Sequence, residues 1–192
     1  MKKSRLFSLG FAVLLAVILC LSLSACDSKD ANITDDGLIW DKREDGVHIT
    51  DYSYSKITED LVIPASIQNT PVVAIDHHAF SYATMLKTIT IPDSVTTIGE
   101  FAFYDCYNLT SVTIGNGVTS IDDSAFSDCE GLTSVTIGNG VTTIGDSAFS
   151  GCSNLKDVYY TGTAEEWAQI LIGSYNGSLI NATIHYNYVP EE

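Results

Sequence analysis

The string LTSVTIGNGVT stands at Leu109–Thr119 and again, unchanged, at Leu132–Thr142, 23 residues later. The same step runs outward from it in both directions. Leu86, Leu109, Leu132 and Leu155 are 23 apart, as are Ile98, Ile121 and Ile144. Phe80, Phe103, Phe126 and Phe149 keep the interval too, and an Ala precedes each of them. A fixed period of roughly 20–50 residues is the mark of a solenoid or an array of stacked units.

One unit reads LTSVTIGNGVTSIDDSAFSDCEG. Val112-Thr113-Ile114 alternates apolar and polar with period two, which predicts a strand with one buried face. Gly115-Asn116-Gly117 is a turn, because Gly and Asn tolerate positive φ. Val118 and Ile121 return an apolar face on a second short extended segment. Ser124–Cys129 then reads as a compact or helical turn with Ala125, Phe126 and Cys129 pointing inward. A lone unit has too small a core to fold, so each must bury its faces on its neighbours.

The pattern of Leu, Val, Ile, Val, Ile, Ala-Phe and Cys resembles the BspA-like leucine-rich repeat of bacterial surface proteins. Leu86–Asn108, Leu109–Gly131 and Leu132–Asn154 match it fully, and Leu155–Tyr160 begins a fourth unit. Leu61–Pro64 and Val73–Phe80 match a unit with extra residues, since Ile63 to Ile91 is 28. Gly46–Tyr52 is similar to the family's opening segment, and Tyr159–Asn187 to its closing one. The resemblance spans about Ile39 to Asn187. It implies a right-handed, β-rich solenoid of leucine-rich repeats and a surface adhesin or binder of host proteins, with no particular ligand. The expected organisation is a signal peptide over 1–25, an acidic tether over 26–37, an N-terminal capping segment over 38–60, the solenoid over 61–160 and a C-terminal cap over 161–192. Thr163-Ala164-Glu165-Glu166 is a capping box. It predicts a helix whose Trp167, Ile170 and Leu171 cover the open end of the stack.

The N-terminus carries a different message. Lys2, Lys3 and Arg5 precede a run from Leu6 to Ala25 that has no charge. A basic start, an apolar run and small residues before a break describe a secretory signal. Leu23-Ser24-Ala25-Cys26 resembles the bacterial lipobox, in which the Cys thiol accepts the lipid. The alternative is an uncleaved membrane anchor with Cys26 incidental. Either reading places the remainder outside the cytoplasm, and the lipid reading makes the protein a membrane-anchored lipoprotein of the cell envelope, tethered by its N-terminal lipid only.

Removing Lys2, Lys3 and Arg5 takes the formal net charge from −15 to −18. A chain this acidic is repelled by nucleic acid and by anionic surfaces. Its partner is therefore expected to be a protein or glycan. Cys20 falls in the apolar run and Cys26 at the lipobox. Cys106, Cys129 and Cys152 remain, an odd set at steps of 23 that makes a poor disulfide framework. A column of small buried thiols is the expected reading, set against metal or redox chemistry.

Candidates for chemistry are few. Asp76-His77-His78 is the densest group of possible metal ligands, but adjacent His side chains diverge, and a polar turn is the plainer reading. His48 and His185 stand far from it in sequence. Glu100, Asp123 and Asp146, with Asp122 beside them, form an acidic column. It reads as a solvated face or as caps for the following turn, with a loose Ca²⁺ site as the alternative. A Ser–His–acid set needs a base beside a nucleophile and a pocket, and the Gly-Asn-Gly corner lacks the Lys of a phosphate loop. Neither an enzyme nor a cofactor is expected.

Binding then falls to the outward strand positions: Thr88 and Thr90; Thr110, Ser111 and Thr113; Thr133, Ser134 and Thr136; and Tyr159, flanked by Lys87, Lys156 and Asp157. Five strands ~4.8 Å apart, each offering three residues at ~3.3 Å, cover about 250 Å². A stable interface needs ~800 Å² per partner, so this face predicts weak or multivalent binding. Tyr82, Tyr104 and Tyr107 can add an aromatic rim. A structural or spacer role in an envelope assembly, without a ligand, is the second expectation.

Overall fold

The computed structural model describes residues 32–190. The signal run, Cys26 and the first half of the tether lie outside the described residues. What is described winds into about six coils that carry two parallel sheets. The long-strand sheet is built from β3 (Asp60–Val62), β6 (Thr88–Ile91), β8 (Ser111–Ile114), β10 (Ser134–Ile137), β12 (Asp157–Tyr160) and β14 (Thr183–His185). The second sheet starts with an antiparallel hairpin, β1 (Leu38–Lys42) and β2 (Val47–Tyr52). It continues in parallel through β5 (Thr70–Ile75), β7 (Thr97–Ile98), β9 (Ser120–Ile121), β11 (Thr143–Ile144) and β13 (Leu171–Ile172). The five extra residues ahead of β6 fall beside β4 (Ser66–Ile67), which folds back on β5.

Register follows the 23-residue step. Ile89, Val112 and Val135 are directly paired, as are Ile91, Ile114 and Ile137, and all are buried. The alternation of β-branched and hydroxyl side chains thus sets one face inward on every coil. The Phe column closes the core. Phe80, Phe103, Phe126 and Phe149 are wholly buried, with ring centroids 5.1, 4.9 and 5.2 Å apart and ring planes within 14° of parallel. Tyr52 continues the stack over Phe80 at 5.9 Å.

The turn that carries each Phe is not helical. His78, Tyr82, Phe101, Asp105, Ser124, Asp128, Ser147 and Gly151 sit there at φ between 55° and 72°. With left-handed residues four apart in each turn, every second N–H points along the solenoid axis. Phe80 N donates to Ala102 O at 2.7 Å, Phe103 N to Ala125 O at 2.7 Å and Phe126 N to Ala148 O at 2.8 Å. The intervening N–H groups close within the coil, as Ala125 N does to Asp122 O. The turns therefore form a third hydrogen-bonded row beside the two sheets, and the backbone polar groups that a buried coil must satisfy find partners on its neighbours.

The last coil differs from the expected helical cap. Thr163 does make its capping box: Glu166 N donates to its Oγ1 at 3.2 Å, and Thr163 N donates to Glu166 Oε2 at 2.8 Å. The helix α1 (Ala164–Trp167) stops after one turn, and a second single turn, α2 (Gly177–Ile180), follows. Trp167 packs edge-on against buried Tyr160, and Ile170 is buried, but Leu171 is 73% exposed. Leu171 N donates to Thr142 O at 2.9 Å instead, so pairing with β11 overrides the helical spacing. Buried Asn176 ends the turn row. Its Oδ1 accepts from Phe149 N at 3.0 Å, in the place a next coil's carbonyl would occupy. Its Nδ2 donates to Gly145 O and Gly173 O at 2.8 and 3.0 Å.

Candidate binding surface

The long-strand sheet aligns the outward residues in two rows. One runs Asp60, Thr88, Ser111, Ser134, Asp157, Thr183; the other Val62, Thr90, Thr113, Thr136, Tyr159, His185. Thr90, Thr113 and Thr136, with Asp93, Asn116 and Thr161, line a shallow groove of about 320 Å³. Tyr159 follows Thr136 in the same row, its ring 4.8 Å from that of His185 and 4.7 Å from that of Tyr188. His185 Nε2 lies 2.8 Å from Asp157 Oδ1.

Thr110 and Thr133 precede the strands, and their hydroxyls are already used. Thr110 Oγ1 donates to Lys87 O at 3.0 Å, and Thr133 Oγ1 to Thr110 O at 3.1 Å. Thr96, Thr119 and Thr142 repeat the device on the short-strand side. A hydroxyl with its one proton committed to a neighbouring carbonyl offers a partner only acceptor capacity. Thr88 Oγ1 donates to Asp60 Oδ1 at 2.7 Å. The groove-lining Thr90, Thr113 and Thr136 lie outside this inter-coil bonding.

The acidic column caps backbone, though not of its own turn. Asp123 Oδ1 accepts from Asp146 N at 2.8 Å, and Asp146 Oδ1 from Ser174 N at 2.6 Å, each on the following coil. Asp93 Oδ1 serves Asn116 N at 2.6 Å in the same way. The residue before each served N–H is glycine, because the incoming carboxylate fills its side-chain space: a Cβ on Gly145 would lie 2.3 Å from Asp123 Oδ1. Beyond the caps, Glu100, Asp122, Asp123 and Asp146 border an open groove of about 750 Å³ on the short-strand side.

Cys106, Cys129 and Cys152 are unbridged and buried, and each Sγ donates at 3.1 Å to a Phe carbonyl 26 residues back. Burial pushes the Cys152 thiol up to about 12. For Cys129, the hydrogen bond with Cys106 and burial push the thiol well above its ordinary range. The raised thiols of Cys129 and Cys152 are held in the unreactive form.

His77 and His78 do not diverge as expected: their rings meet edge-on with centroids 4.0 Å apart, and His77 Nδ1 lies 3.8 Å from Glu100 Oε2. His78 Nδ1 is 2.7 Å from Ser81 Oγ, but that hydroxyl donates to Phe101 O at 2.8 Å. With its proton on Phe101 O, the Ser81 hydroxyl turns its lone pairs to His78. His48, isolated in sequence, is drawn into a cluster. Its Nδ1 lies 2.8 Å from Asp76 Oδ1 and its Nε2 3.1 Å from Asp45, while Arg43 pairs with Asp76. The hydrogen bond from His48 lowers the pKa of Asp45. Parallel pairing of β2 with β5 brings these residues together, and no spacing in the sequence announces it. Among the described residues no group of three or more His, Cys, Asp or Glu side chains is placed to hold a metal ion.

A stack of 23-residue coils with a Leu–Val–Ile strand, an Ala-Phe turn and a filled core defines a leucine-rich repeat protein. The chain belongs to the BspA type Leucine rich repeat region family, which matches in six copies over residues 48–173. No curated protein matches it. Among solved structures it is similar to the leucine-rich repeat protein of T. pallidum, with 27% identity and a TM-score of 0.65 over 74% of this chain and 64% of that one. A leucine-rich repeat protein from Bacteroides capillosus is 30% identical, with a TM-score of 0.60 over 67% of this chain and 96% of that one. The pneumococcal vaccine antigen PcpA shares the fold alone, at 20% identity and a TM-score of 0.60. The chain spans 64% of the T. pallidum structure and 35% of PcpA.

Proposed function

We propose that this chain is a non-catalytic binding or adhesion module at the bacterial cell surface, wound right-handedly, secreted through residues 1–25 and held by a lipid on Cys26. Residues 26–37 act as the tether, 38–60 cap one end and 161–192 close the other. Its partner is a protein or glycan met by Thr88, Thr90, Ser111, Thr113, Ser134, Thr136 and Tyr159, with Thr110 and Thr133 bracing the coils behind them. The observation that supports this reading is the unbroken line of Thr90, Thr113 and Thr136 along a groove, with Tyr159 next in register after Thr136. Hydroxyls at a constant spacing of ~4.8 Å suit a repeating or extended partner. A face this small binds weakly unless many copies act together on one surface.

Immobilised full-length chain in detergent is exposed to host-matrix and envelope proteins and to glycans. The comparison is a Thr113→Asp/Thr136→Asp variant. A retained set that the variant loses supports the strand face; identical retention rules it out. No retention by either protein favours the spacer role. Anchoring is read separately: Cys26→Ser should release the protein or leave it unprocessed, and unchanged membrane association and mass would refute the lipid site.

A further inference from the structure

The left-handed slots of the turn row hold different residues at the two ends of the solenoid. The slot that is Ser124 and Ser147 in later coils is His78 and Phe101 in earlier ones. The slot that is Asp105, Asp128 and Gly151 is Tyr82 in the first of these turns. A bulky side chain at positive φ is disfavoured, whereas Asp and Gly occupy that region readily. The Ser-to-Tyr change at Tyr104, where neighbouring coils have Ser81 and Ser127, adds a further ring.

These rings touch. His78 stacks on Phe101 at 5.1 Å, with planes 10° apart, and His77 packs edge-on against His78 at 4.0 Å. Phe101 meets Tyr104 at 5.7 Å, and Tyr104 meets Tyr82 at 5.4 Å, both edge-to-face. The next residue in the Phe101 column is Ser124, which is too small to cover the ring's second face. Tyr82 is 55% exposed. None of these side chains belongs to the buried Phe stack, so they do not hold the core.

The surroundings of the patch are acidic. Glu100 and Asp105 flank Phe101 and Tyr104 in the chain, and Asp123 and Asp128 follow on the next coil. The Asp128 carboxylate acts on Tyr104 directly and raises the phenol's pKa. Between Ile57 and Leu155 the only Lys or Arg is Lys87, which is ion-paired to Glu59 at 2.7 Å. Half-buried Phe101 and Tyr104 and exposed Tyr82 stand beside carboxylates that no Lys or Arg neutralises among the described residues, and this matches a guanidinium, which stacks on rings and forks to carboxylates.

We infer that the His77–His78–Tyr82–Phe101–Tyr104 patch is a second docking surface, separate from the strand face, that takes an extended arginine-bearing segment of a partner protein. Arginine side chains lie on Phe101 and Tyr104 and pair with Asp105 and Asp128. The repeat supplies its own control substitutions, because Phe101→Ser and Tyr104→Ser install what the next coil carries at both positions.

The probe is a fluorescein-labelled, end-capped Arg-Gly-Arg-Gly-Arg-Gly peptide, titrated by anisotropy against the full chain in detergent at low salt. A Gln-Gly peptide of the same length is the neutral control. Two rings at ~0.5–1 kcal/mol each predict about tenfold weaker binding for Phe101→Ser/Tyr104→Ser, at unchanged melting temperature. Asp105→Asn, which keeps a residue tolerant of positive φ, should weaken binding several-fold, and Thr113→Asp/Thr136→Asp should not. Equal binding by wild type and the aromatic variant would show that only the overall negative field attracts the peptide. That result, or no preference over the Gln-Gly peptide, overturns the inference. Neither result bears on retention by the strand face, which the glycan and protein panel tests.

Discussion

Asn176 should be the most sensitive polar residue of the described chain. It is 1% exposed and stands in for the coil that is missing beyond Phe149. Asn176→Ala removes the acceptor of Phe149 N and the donors to Gly145 O and Gly173 O. A buried group left without a partner costs ~1–3 kcal/mol, and carbonyls with a second partner pay at the low end. The Phe149 N–H and the two carbonyls together therefore cost about 3–5 kcal/mol. In a domain of this size each kcal/mol lowers Tm by ~2–4 °C, so a drop of roughly 10 °C is expected. Asn176→Asp is the sharper variant. It keeps the acceptor and the shape, yet turns a carboxylate oxygen toward two carbonyls, so it should be no milder than Ala. Thermal unfolding by circular dichroism gives the Tm, and amide exchange gives the location. The Phe149 amide should lose most of its protection, while Phe103, bonded to Ala125 O, keeps its own. A loss below about 1 kcal/mol, or uniform deprotection across the coils, would refute the idea that one side chain terminates the turn row.

Phe126→Ala, in the middle of the stack, should cost about 3–5 kcal/mol through the cavity it opens, read by denaturant titration; a Phe126→Leu loss as large would contradict the cavity account. Gly140→Ala should cost about 2–3 kcal/mol by overpacking, because its Cβ would meet Asn116 O at 1.9 Å; Gly177→Ala, where the nearest atom is 4.0 Å away, is the comparison that should be nearly silent. Cys152 titrates near 12 when folded and in the ordinary thiol range, near 9, when unfolded. Its contribution to stability is complete below pH 9 and is lost as pH rises toward 12. Alkaline unfolding across that window should be shallower in Cys152→Ala, and equal slopes would show that the thiol does not matter.

Much of the fold was open to reading because identity and spacing agree. Leu109, Val112, Ile114 and Phe126 recur at one interval, so strand, buried face and register follow from the same residues. The turn row was not legible. Its positive-φ slots accept His, Tyr, Phe, Ser, Asp and Gly, and only Gly151 carries the usual signal. Leu171 departs from its helical spacing because helix and strand pairing compete for the same three apolar residues, and pairing adds backbone bonds. Of the proposed face, Thr90, Thr113 and Thr136 stand in one line as their period implies. The committed hydroxyls of Thr110 and Thr133 depend on carbonyl direction, which a sequence does not display. His48 and Asp76, 28 residues apart, meet only because the first coil has a different length.

The bonds between coils link positions that are 23 residues apart, or close to it. A duplicated unit therefore arrives with a donor for the coil on one side and an acceptor for the coil on the other, and it orphans nothing. Growth by copying is chemically neutral inside the stack, as the twin LTSVTIGNGVT strings, paired rung for rung, illustrate. The ends have no such freedom. Tyr52 over the first Phe and Asn176 under the last are single residues with no counterpart in the period, and a lengthened descendant must carry both of them outward unchanged.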